Sequence, residues 1–139
     1  MKNIQQVAET FYMAAWDLAE RLTLLPIELK DANSKITPFS LLLDFNKHST
    51  PFLNLSGGDI PQKFHLEYDQ IDTVVREEIF PAFDVLTEEW LSLKEKKSDL
   101  TYQDQLEFAA KCVYIANQLG MYVIPLTSPI EKGLMPQVK

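Results

Sequence analysis

The sequence predicts an α+β domain, three main helices packed with a small antiparallel sheet, and the rival architecture is all-α. Three observations carry this. Apolar residues recur at steps of three and four over residues 3–23, 66–97 and 101–119, the spacing of one helix face. Between the first two stretches, residues 27–55 fall into short alternating pieces set apart by turn-forming clusters, as strands do. The chain has 139 residues, 46% of them hydrophobic, which suits one globular domain with a core of its own.

The first helix, residues 3–23, places Ile4, Val7, Ala8, Phe11, Ala15, Leu18, Ala19 and Leu22 on one face. Leu25-Pro26 is its expected end, because proline disfavours helix in the residue before it. Strands are expected at 27–30, at 39–45 (Phe39, Leu41, Leu43 and Phe45 alternating with their neighbours) and at 52–55. The competing reading of the middle piece is a helix over 38–46, with Thr37 as N-cap and Pro38 at the first helical position. Few β-branched residues lie there, and Leu41-Leu42-Leu43 suits a helix. Ser56-Gly57-Gly58-Asp59 and Ile60-Pro61 form a loop before the long second helix.

That helix, residues 66–97, carries Ile71, Val75, Ile79, Ala82, Leu86, Trp90 and Leu93 in phase across Pro81. One kinked helix or two nearly collinear ones would serve. The third helix opens with Thr101 and Asp104 in capping-box register. Leu106, Ala109, Ala110, Val113 and Leu119 line one side of it, and Gly120 is placed as a left-handed C′ glycine. Met121–Ile124 reads as a strand able to join the small antiparallel sheet. Pro125, Pro129, Gly133 and Pro136 then leave an irregular tail over 127–139, so the domain spans 1–126. The expected core includes Phe11, Leu18, Ile79, Leu86, Trp90, Leu106 and Val113.

The charge is local. From Asp59 to Glu89 there are nine acidic residues and two basic ones, an excess that equals the net charge of −7 for the whole chain. Glu67, Asp69 and Asp72 sit near the start of the long helix, and Lys94, Lys96 and Lys97 near its end, as the helix dipole favours. Glu77, Asp84 and Glu88 lie clear of both ends and opposite the apolar stripe, with Phe80 on the same side. A solvated outer face explains them, and so does a docking surface for a basic protein.

Several function classes are excluded or left without support. The acidity, with a pI near 4.8, argues against direct nucleic-acid binding and against adhesion to anionic membranes. One cysteine, Cys112, cannot form an internal disulfide, and Glu9 and Asp17 interrupt any signal-peptide core, so a cytoplasmic location is expected. Cys112 lies mid-helix, away from any activating helix end, and is expected to be inert. His48, His65 and Cys112 form no metal-ligand pair at helical or knuckle spacing, so no metal or cofactor is expected. No lysine follows Gly57-Gly58 at phosphate-loop spacing, and no catalytic motif stands out.

The sequence therefore predicts a non-enzymatic binding protein. Its contact residues are Glu77, Phe80, Asp84 and Glu88, and its partner is a basic protein. Small acidic inhibitors of basic enzymes, immunity-type proteins among them, work through such faces by electrostatic steering. The alternative is a small enzyme or ligand-binding domain using Asp44, His48, Gly57, Gly58 and His65. A third reading is a homo-oligomer subunit whose apolar faces are shared between chains.

Overall fold

In the computed structural model, residues 3–31, 33–56 and 58–134 are described, and none of them forms a strand. The fold is all-α, and the expected sheet is absent. Helix α1 spans Ile4–Glu28, α2 Pro38–Leu53, α3 His65–Val74, α4 Phe80–Lys96, α5 Tyr102–Gln118 and α6 Ile124–Gly133. Helix α1 packs against α2, α5 and α6, while α4 packs against α2 and α5, and α3 against α6.

Each expected strand is overturned. Helix α1 does not stop at Leu25-Pro26. Pro26 forfeits one hydrogen bond in the last turn, and that turn keeps Leu25 fully buried. Residues 27–30 therefore finish the helix and turn away from it. Over 39–45 the rival helix is correct. Thr37 Oγ1 accepts from the Ser40 N–H at 3.0 Å, and Ser40 Oγ accepts from the Thr37 N–H at 2.9 Å. The apparent alternation hid a helical stripe of Pro38, Leu41, Phe45, Ser49 and Phe52, all buried, while Phe39 and Leu43 face outward. Residues 52–55 are the end of α2 and its turn.

The long second helix exists, and it is continuous from His65 to Lys96 through a π-helical turn at Val75–Ile79. Proline clashes with the carbonyl four residues before it in an α-helix. A turn widened by one residue, with the Phe80 N–H bonded to Val75 O, relieves that clash ahead of Pro81. The buried stripe continues as Ile79, Phe83, Leu86, Trp90 and Leu93, and Ala82 is only half-buried.

The same device recurs at the end of α5. Its capping box forms as expected: Thr101 Oγ1 accepts from the Asp104 N–H at 3.0 Å, and Asp104 Oδ2 accepts from the Thr101 N–H at 3.1 Å. Gly120, however, does not end the helix. A π turn at Leu119–Val123, with the Ile124 N–H bonded to Leu119 O, precedes Pro125 and leads into α6. No described glycine has positive φ, so the left-handed conformation expected of Gly120 is absent. Residues 121–124 are helical, and so are 127–133, where an irregular tail was expected. Thr127 and Ile130 of α6 are fully buried. Residues 135–139 lie outside the described residues.

At the centre of the core, Phe11 stacks on Phe52 with ring centroids 4.4 Å apart, and Phe45 lies 6.0 Å away. Tyr68 of α3 meets Phe52 edge-on, and its hydroxyl donates to the Phe52 and Leu55 carbonyls at 2.7 and 3.0 Å. That contact ties the end of α2 to the helix carrying the acidic residues. Phe11, Leu18, Ile79, Leu86 and Trp90 are buried as expected. Leu106 and Val113 are not, at 45% and 47% exposure, because α5 turns Phe108, Cys112 and Ile115 inward instead. Among the described residues, no helix is long and apolar enough to cross a membrane.

Candidate functional site

The acidic residues of the long helix divide into those with a cation and those without. Asp72 is held by Arg76 Nε at 2.7 Å, one turn away, and Glu89 by Lys111 of α5. Glu77, Glu78, Asp84 and Glu88 are exposed and engage in no ion pair or hydrogen bond among the described residues. Glu77 and Asp84 are seven residues apart, about 10 Å along a helix axis, which is close to one screening length at physiological salt. Their repulsion is therefore only partly damped, and no ion pair among the described residues compensates it. Phe80, expected beside them as an exposed aromatic, is half-buried against the core and presents only part of its ring.

Next to this row lies an apolar groove between α4 and α5. Ala82 and Val85 form one wall, Ala110, Lys111 and Tyr114 the other, and Glu107 closes one end, enclosing about 470 Å³. Val85 and Tyr114 remain 52% and 49% exposed, large values for side chains lining a depression. Of the stripe Leu106, Ala109, Ala110, Val113 and Leu119 that the periodicity assigned to the core, Leu119 is buried and Ala109 half-buried, while Leu106, Ala110 and Val113 form the outward face of α5, with Ala110 in the groove. The apolar signal was present in the sequence, but its direction was misread. Val85 and Tyr114 belonged to no expected site.

The residues of the alternative site do not converge in the same way. His48 Nδ1 lies 2.9 Å from the Asp44 carbonyl and 3.7 Å from its carboxylate, a one-turn contact within α2. A cavity of about 570 Å³ is lined by Asp44, and a separate one of about 220 Å³ by His48; neither includes His65. The His65 ring donates through Nε2 to the Ile60 carbonyl at 2.8 Å. In the glycine loop, the Ser56 N–H and hydroxyl both donate to Asp59 Oδ2, at 2.9 and 3.0 Å. A carboxylate already occupies the position that a bound anion would need. Gly57 lies outside the described residues, and Gly58 is exposed. Among the described residues, no group of three or more His, Cys, Asp or Glu side chains is placed to hold a metal ion.

Cys112 is fully buried against the core. Burial first, and the Glu89 carboxylate second, push its thiol up to about 12, far from the range of a reactive thiolate. Asp104 shifts the opposite way. The Thr101 backbone N–H, followed by Lys96, holds its carboxyl below the usual carboxylate value, as a helix cap requires.

No protein-family model, curated protein or solved structure matches this chain.

Proposed function

We propose that this chain is a non-enzymatic binding protein that engages a basic protein partner through the acidic outer face of its long helix, in the manner of an inhibitor or immunity-type protein. One observation carries the reading: Glu77, Asp84 and Glu88 are exposed together on one helical element without cationic partners among the described residues. Asp72 and Glu89 of the same helix are paired with cations, so the supply of acid on this face exceeds what the monomer pairs. Carboxylates left unpaired speed encounter with a positively charged surface and disfavour acidic competitors. A cytoplasmic location belongs to the same reading, since a lone buried thiol suits a reducing compartment.

The test is the triple variant E77K/D84K/E88K, which moves the net charge from −7 to −1. It should fold normally, because exposed substitutions usually change stability by less than about 0.5 kcal/mol. Proteins captured by the wild type at low salt and released at high salt should be lost from the variant. Their association with the wild type should be at least about tenfold faster. Retention of the same partners by the variant, with the same salt dependence, refutes the proposal.

A further inference from the structure

The α4/α5 groove gives the proposed binding function a more specific form. Helix α5 has two apolar faces: Phe108, Cys112 and Ile115 point into the core, while Leu106, Ala110, Val113 and Tyr114 remain exposed. Ala110 and Tyr114 of that second face meet Ala82 and Val85 of α4 across the groove, so the apolar surface is shared by two helices. The charges at its edge that lack a cationic partner among the described residues are acidic. Glu107 lines one end, and Glu88 lies three residues beyond Val85, on the adjacent turn of the same surface. Glu78 lies one turn before Ala82, and among the described residues neither Glu78 nor Glu88 is paired with a cation. Lys111, the cation in the lining, is bound to Glu89 and leaves no free positive charge there.

We infer that this groove receives a basic amphipathic helix of the partner, with apolar side chains seated between α4 and α5 and lysines or arginines on the acidic rim. This rests on the binding reading above and adds the site and the form of the partner. The apolar lining, Ala82 and Val85 facing Ala110 and Tyr114, spans one turn of each helix or about 6 Å, which seats anchors at positions i and i+3 or i+4 of an incoming helix. Charge complementarity selects the occupant. A second copy of this chain would bring another −7 and the same acidic rim to the contact, and like charges would face each other.

The experiment uses the intact chain and two labelled 14-residue peptides of equal positive charge. One carries leucines at i, i+3, i+4 and i+7 with lysines elsewhere, and the other replaces each leucine with serine. Fluorescence anisotropy follows binding to the wild type, to V85A/Y114A, which trims the groove without altering charge, and to E77K/D84K/E88K. The leucine peptide should bind the wild type about tenfold or more tighter than the serine peptide, and V85A/Y114A should remove most of that advantage. Thermal melts of V85A/Y114A should stay close to wild type, since both side chains are half exposed. Equal affinity of the two peptides, or unchanged binding to V85A/Y114A, overturns the inference. If E77K/D84K/E88K still weakens binding in that case, the acidic-face reading survives without the groove; if the triple variant also binds normally, both fall. Sedimentation showing a wild-type dimer that V85A/Y114A dissociates overturns the inference in favour of a second copy.

Discussion

Replacing Tyr68 with phenylalanine isolates one hydroxyl that holds the acidic helix to the rest of the fold. The ring stays, and with it the edge-on contact to Phe52 at 5.2 Å between centroids. The lost group is a buried O–H that bridges the Phe52 and Leu55 carbonyls, and Tyr68 as a whole is only 8% exposed. The Phe52 carbonyl also accepts from the Asn54 and Leu55 N–H groups, so the loss falls mainly on the Leu55 carbonyl. Leaving such an acceptor buried without its donor costs about 1–3 kcal/mol. With a urea slope near 2 kcal/mol per molar, a loss of about 2 kcal/mol lowers the unfolding midpoint by about 1 M. Alkaline titration supplies a second readout. Burial, then the Asp72 carboxylate, push the Tyr68 phenol up to about 12 from its ordinary 10.0. The unfolded chain thus loses this proton first, and the stability tied to it is present below pH 10 and declines between about pH 10 and 12. The phenylalanine variant lacks that decline, so the stability gap between the two proteins should narrow across that range. A variant within about 0.5 kcal/mol of wild type at pH 7 refutes the account, because the hydroxyl would then hold nothing.

Three further outcomes follow from the same structure. Leu86 is fully buried, and Leu86→Ala should cost about 2–5 kcal/mol by denaturant unfolding; a change below 1 kcal/mol would mean that the α4 stripe is not packed as described. Gly120 and Gly133 should respond in opposite directions. A Cβ at Gly120 meets nothing within 4 Å, and its φ is not positive, so Gly120→Ala should stabilise by about 0.4–1 kcal/mol. A Cβ at Gly133 would collide with the Phe64 ring, so Gly133→Ala should destabilise by about 1–3 kcal/mol, and paired thermal melts check both signs. Cys112 should resist a neutral alkylating reagent at pH 8 and react fully in denaturant, because burial keeps its thiol protonated; rapid stoichiometric labelling of the native protein contradicts this.

Local rules in the sequence were enough for the ends and outer limits of several helices. Thr37 and Thr101 each cap a helix because hydroxyl and backbone N–H lie three residues apart, and no distant contact is needed. The long helix across Pro81 was legible because its apolar phase survives the kink, although the π turn that preserves it was not. The acidity of residues 59–89 was a matter of counting, and its division into paired and unpaired carboxylates was not. Lys111, which neutralises Glu89, comes from another helix. Tertiary structure decided the rest. Residues 39–45 alternate like a strand and also belong to a 3-4-4-3 stripe from Pro38 to Phe52, and packing of Phe45 and Phe52 against Phe11 of α1 and of Phe52 against Tyr68 of α3 favours the helix. Helix α5 offers two apolar faces at equally good helical spacing. Only the space left by α1 and α4 chooses Phe108, Cys112 and Ile115 for the core, and so leaves Leu106, Ala110, Val113 and Tyr114 outside. Periodicity reports that a face is apolar, but which face is buried depends on the neighbours, and here that choice formed the groove beside the acidic row.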